Sequence, residues 1–210
     1  MPASFQPSAT HPPASDEDSG LVASLRCGSP EAFETMVRRH SPAMFAAARR
    51  ILRHEDDARE ALQDAFVSVF KAVGGFSGGA HLATWLHRIA VNAALMKLRA
   101  RRRHPEGSID DLLPRFDEGG HAVAPSEPWS QSASELLERE ETRALVRRLV
   151  DELPDRHRLV IVLRDFEELS TVEVARMLDA TPNAIKVRLH RARQALRAKL
   201  DPHYRMSPIP

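Results

Sequence analysis

The stretch STVEVARMLDATPNAIKVRLHRARQALRAKL, residues 170–200, decides how this chain is read. Ser170 and Glu173 have the spacing of a capping box, in which the hydroxyl accepts the N–H of the fourth residue and the carboxylate returns to the first, so a helix has a defined start. Residues 171–178 then form a short helix, and Asp179 and Ala180 break it. Thr181 caps a second helix with Pro182 in its first turn, where a missing N–H costs nothing. Two helices joined by a turn of this length are what a helix-turn-helix requires. Asp179 stands where such turns favour Gly, and Asp accepts the left-handed conformation better than most residues.

On the second helix, Ile185, Leu189, Ala192 and Leu196 fall within about 60° of one another and form the buried stripe. Lys186, His190, Arg193 and Arg197 lie along one flank, with Arg188 and Arg191 on the other. Alone, this is compatible with an ordinary solvated amphipathic helix. The capped partner turns the reading towards DNA, with Asn183, Lys186, Val187, Arg188, His190 and Arg191 as candidate contacts. Guanidinium groups pair with phosphates or fork onto guanine, and a valine touches a thymine methyl. Arg193 and Arg197 are left to phosphates or to solvation.

Composition sets the limits. A chain of 210 residues, 42% hydrophobic, can bury a real core and is long enough for one or two domains. Thirty Lys plus Arg against 29 Asp plus Glu give a net charge of +1, so polyanion binding must come from segregated charge. Aromatics are only 5%, while Ala, Leu, Arg and Glu recur at helical spacing, which predicts an all-α protein. Cys27 is the single cysteine, which excludes a disulfide framework and a Cys-based zinc site within one chain, and it reads as a small buried residue. Residues 1–19 read as a disordered tail rather than a secretory signal, and no segment approaches the ~20 apolar residues of a membrane span, so a soluble cytoplasmic protein is expected.

Residues 20–103 are helical almost throughout, with interruptions near 28–31, 53–56 and 74–81, giving about four helices. Pro30 and Pro42 are read as first-turn prolines, and Glu55, Asp56 and Asp57 as acids complementing a helix start. In residues 56–73, Ala61, Leu62, Ala65, Phe66, Val69 and Phe70 make an apolar stripe, and Glu60, Gln63, Asp64 and Lys71 the other side. That side is either solvated or a docking face for a basic partner. Next, FSGGAHLATWLHRIAVNAALMKLRARRR, residues 76–103, joins a Gly-rich loop to a helix with Trp85, Asn92 and a run of cations. Terminal cations also satisfy the helix dipole. A loop, an aromatic, an amide and a basic track together suit single-strand capture. Residues 104–133 form a linker rich in Pro and Gly, whose charges are mostly acidic: Glu106, Asp110, Asp111, Asp117, Glu118 and Glu127. Helix resumes at about Ser134 and continues to Pro154, and three further helices follow at roughly 155–166, 171–178 and 182–200; this block spans 134–201, before a tail at 202–210.

The strings ALQDAFVSVFKAV, FSGGAHLATWLHRIAVNAA and LPDRHRLVIVLRDFEELSTVEVARML followed by TPNAIKVRLHRARQAL occur in this order across a Pro-rich linker. Over residues 21–200 the chain resembles an extracytoplasmic-function (ECF) sigma factor of the sigma-70 family. The resemblance implies two small helical domains. One, at 20–103, binds the β′ clamp helices of core RNA polymerase through Glu60, Gln63 and Asp64. It also opens the minus-ten element with Phe76, His81, Trp85, Asn92, Lys97, Arg99, Arg101, Arg102 and Arg103. The other, at 134–201, reads the minus-thirty-five element and contacts the β flap. Promoter DNA, core polymerase and an anti-sigma factor are the implied partners, with no cofactor and no metal. Met96 stands where the family often has Asp, and Lys186 and His190 replace commoner Arg and aromatic choices, so the promoter sequence does not transfer.

Two other readings compete. A helix-turn-helix repressor or response regulator would use only the last domain, with the front block as a sensor. An enzyme would need a motif such as HExxH or a P-loop, and neither occurs.

Overall fold

The structure is a computed structural model of the chain, and residues 16–76, 81–101, 109–113 and 140–205 are described. The chain divides into two compact units, Met1–Arg103 and His104–Pro210. Among the described residues every regular element is helical.

In the front unit, α1 (Asp16–Arg26) begins inside the segment read as a tail. Before α2 (Pro30–Leu52), Ser29 accepts the Ala32 N–H at 3.2 Å, and Pro30 takes the first helical position, as its fixed φ favours. The same hydroxyl donates to Glu31 at 2.7 Å and holds that carboxyl below its ordinary pKa. Pro42 is a correction: it lies inside α2, not in a first turn. Its ring removes one ladder bond, while the neighbouring Ser41 hydroxyl donates to the Val37 carbonyl a turn back. Arg53, at φ 64°, ends α2 with its N–H on the Arg49 carbonyl at 2.9 Å. Then α3 (Glu55–Ala72) opens on Glu55, Asp56 and Asp57, and a 3-10 turn (Val73–Gly75) leads towards α4 (Leu82–Arg101).

Helices α2, α3 and α4 pack on one another, and α1 lies against α2. Ala47, Ala48, Ala58, Ala61, Ala65, Ala90 and Ala94 are all buried, and such short side chains let helix axes approach closely. Met36, Met44, Val69, Leu82 and Leu86 fill what remains. Two expectations change here. Phe70 is 67% exposed rather than part of the core, its ring 5.2 Å from that of Phe33. Cys27 is exposed, since it falls after the last turn of α1 at the break marked by Gly28, whose φ is 76°.

In the rear unit the helix expected from Ser134 is described from α5 (Glu140–Asp151) onward, and its earlier residues lie outside the described ones. After it comes α6 (Asp155–Ile161), which passes into a π-helical turn, Val162–Phe166, where an unbroken α-helix was expected. The Arg164 guanidinium donates to the Leu169 carbonyl, and the Leu169 N–H reaches the Leu163 carbonyl at 3.0 Å, closing the turn. Arg158 is only 1% exposed, its guanidinium 3.7 Å from Asp155 and 3.8 Å from Asp151. Helix α7 (Thr171–Met177) and helix α8 (Pro182–Arg205) complete the unit, and α8 runs past Pro202 into the predicted tail.

Candidate nucleic-acid interface

The helix pair forms as its sequence predicts. Ser170 Oγ accepts the Glu173 N–H at 3.2 Å, and the Glu173 carboxylate accepts the Ser170 N–H at 2.9 Å. Asp179 takes the left-handed conformation, φ 49°, and Thr181 Oγ1 accepts the Ala184 N–H at 3.1 Å. Ala175, Ile185, Leu189 and Ala192 are buried. Ala195 replaces Leu196, which is only half-buried, in the innermost position. The pair is thus locked by its small and branched residues, and the opposite side of α8 is presented outward.

That side holds the predicted readers. Asn183, Lys186, Val187, His190 and Arg191 are exposed, and Arg188 is half-buried. Val187, at 47% exposure, is an apolar residue left in water among cations, the surroundings a thymine methyl contact needs. Two arginines of α8 are already engaged. The Asp165 carboxylate accepts a two-pronged bond from Arg193, at 2.6 and 3.0 Å, which raises the pKa of that guanidinium against the opposing effect of burial. Arg191 lies 3.9 Å from Asp110, an acid of the linker. Neither pairing is legible in the sequence, because each acid meets its arginine through tertiary packing and no local spacing announces it.

In the front unit the basic run of α4 splits. At roughly 100° per residue, Trp85, Arg88, Asn92, Met96 and Arg99 share one stripe, while Lys97 and Arg101 turn towards α3. There Lys97 pairs with Glu60 and stands 3.9 Å from Asp57, and Arg101 pairs with Asp57. Glu60, assigned to polymerase, and Lys97, assigned to DNA, are therefore each other's partners in this structure. Phe76 is the clearest departure: at 6% exposure it belongs to the core, its ring 4.9 Å from Trp85 and its carbonyl bonded by Arg26. It supports Trp85 and has no free face for a base. His81 and Asn92 are half-buried, and His81 receives the Trp85 N–H on its carbonyl at 3.1 Å. The loop at 77–80, Arg102 and Arg103 lie outside the described residues.

On α3, Glu60, Gln63 and Asp64 are exposed along one side, and Val67 and Phe70 extend it with apolar surface. The sequence reading missed both as surface residues, although Val67 lies one turn beyond Gln63 and Asp64. Among the described residues no helix is long and apolar enough to cross a membrane, and no His, Cys, Asp and Glu group is placed to hold a metal.

Comparison with known proteins fits both units. The family description Sigma-70 region 2 matches residues 36–104, and Sigma-70, region 4 matches residues 143–196. The chain is 31% identical over 188 residues to the RNA polymerase sigma-H factor of Pseudomonas aeruginosa, covering 89% of this chain and 95% of that one. It is 33% identical over 179 residues to the ECF RNA polymerase sigma factor SigM of Mycobacterium tuberculosis, covering 85% and 82%. With the ECF RNA polymerase sigma-E factor of Escherichia coli it shares 32% over 187 residues, covering 88% and 95%. Among solved structures, CnrH in complex with the cytosolic domain of CnrY matches with a TM-score of 0.52 and 28% identity, covering 89% of this chain and 99% of that one. A repressor or response regulator would leave the region 2 match unexplained. Two family segments in order, each lying on one unit of helices, and relatives aligned over most of their length show that this chain belongs to the ECF sigma factors of the sigma-70 family.

Proposed function

We propose that this chain acts as a dissociable specificity subunit that binds core RNA polymerase, recognises two promoter elements and traps the unpaired bases of one of them. One observation supports the residue assignment: each unit exposes a cation-bearing helix face, on α4 in the front unit and on α8 in the rear one. The α8 face, with Asn183, Lys186, Val187, His190 and Arg191, reads the minus-thirty-five duplex. The α4 stripe, with Trp85, Asn92 and Arg99, meets the melted minus-ten strand, with the ring of Trp85 available for stacking. Lys97 and Arg101 serve the same strand only after leaving Asp57 and Glu60. Glu60, Gln63 and Asp64 face the β′ clamp, and the rear unit meets the β flap. The chain itself makes and breaks no bonds, and it works in the cytoplasm, where polymerase and promoter are. CnrH was solved with the cytosolic domain of CnrY, and a protein inhibitor of the anti-sigma kind covering Val67 and Phe70 is the regulator proposed for this chain.

Run-off transcription with core polymerase on a genomic library tests the reading, followed by permanganate probing of thymines in any promoter that responds. Transcripts with reactive thymines near minus ten are expected. Tight promoter binding without core enzyme, and no melted segment with it, would return the assignment to a repressor.

A further inference from the structure

One piece of the linker is described, residues 109–113, and it is seated on the reading helix. It forms a 3-10 turn, Asp110–Leu112, closed by the Leu112 N–H on the Ile109 carbonyl at 2.9 Å and the Leu113 N–H on the Asp110 carbonyl at 3.3 Å. The turn packs against α8. Ile109 is 1% exposed, so the turn is anchored by a fully buried aliphatic side chain. The next residue places a carboxylate 3.9 Å from the Arg191 guanidinium. Asp110 and Arg191 both remain largely in water, and an ion pair of that kind is weak alone. The buried isoleucine keeps the acid beside the arginine, because apolar burial does not depend on the pairing geometry or on salt.

A carboxylate 3.9 Å from a guanidinium offsets its charge and repels the phosphate or guanine edge that would approach it. We propose that residues 109–113 form an autoinhibitory strap, in which Ile109 is the anchor and Asp110 stands in for nucleic acid at Arg191, so that strap and promoter duplex compete for α8. The proposal rests on the reading of α8 as the DNA-binding helix. The competition has a direction. The strap is tethered to the same unit and is present at high effective concentration, whereas DNA must displace it from solution. A partner with a cationic surface that captures the acidic linker, with Glu106, Asp110, Asp111, Asp117, Glu118 and Glu127, lifts the strap and raises DNA affinity without touching α8.

The test uses the full chain and a fluorescein-labelled duplex of about 30 base pairs carrying a promoter recovered by run-off selection, with binding followed by anisotropy across a salt series. Asp110→Asn, alone and with Ile109→Ser, is expected to bind about two- to fivefold tighter and to steepen the salt dependence by about one counterion. Asp111→Asn removes the same charge one residue along and is expected to leave affinity within about twofold. In an Arg191→Ala background the gain from Asp110→Asn is expected to vanish, which a double-mutant cycle reads directly. Equal affinity for the wild type and Asp110→Asn, or a gain that survives the loss of Arg191, overturns the strap. If run-off transcription succeeds but no variant binds the duplex through α8, as judged by insensitivity to Lys186→Ala, the reading of α8 falls instead.

Discussion

Asp179, at φ 49°, bends the chain between α7 and α8. A left-handed backbone is tolerable for Asp and costly for a branched residue. Asp179→Gly is therefore expected to leave stability unchanged or raise it by up to about 1 kcal/mol, and Asp179→Val to lower it by about 1–2 kcal/mol, as urea unfolding would measure. Ser170 is the second local determinant, since its hydroxyl and Glu173 satisfy one another's backbone amides. Ser170→Ala should cost about 1 kcal/mol, and Ser170→Asp much less, because only the first removes the acceptor. Both residues were legible in the sequence, as their partners lie within a few positions. Phe76 was not: an aromatic beside a Gly-rich loop has the same local pattern whether it faces a base or the core, and only its contact with Trp85 distinguishes the two.

At the scale of elements, α3 and α4 are joined by charge as well as by their buried alanines. Asp57 and Glu60 hold Lys97 and Arg101. Asp57→Asn is expected to free Arg101 and loosen Lys97, strengthening binding of a labelled single strand and steepening its salt dependence by about one to two counterions. An unchanged slope would show that these cations reach no phosphate. Glu60→Gln should do less, since Asp57 remains 3.9 Å from Lys97. In the rear unit Lys199 bonds Glu152 at 2.8 Å, a contact that joins α8 to the end of α5. That bond holds the Glu152 carboxyl below the ordinary value of 4.5. A depressed carboxyl contributes stability that is present above the unfolded value and lost as pH falls through the folded one. Acid unfolding of Glu152→Gln should accordingly show a smaller loss of stability below about pH 4.5 than the wild type.

For the whole molecule, the two DNA faces proposed for one chain mean that neither must bind tightly alone. Lys186→Ala with Arg191→Ala is expected to lower promoter use by at least about tenfold, a loss of roughly 1.4 kcal/mol or more, while binding to core polymerase is unchanged. Run-off transcription beside a pull-down of core enzyme measures both, and equal loss of core binding would move the polymerase contact onto α8.

Local patterns in the chain are enough for the all-α class, the break into two blocks near residue 103, and the capped helix pair. Each depends on contacts between neighbours in the chain: caps, turn residues and a periodic apolar stripe. Which cations meet an acid across the fold only helix packing settles. Lys97, Arg101, Arg191 and Arg193 look alike in the sequence, yet each lies beside an acid from another element. Charge pairing across a fold depends on how helices pack, and that packing is set by buried residues far from the charges themselves.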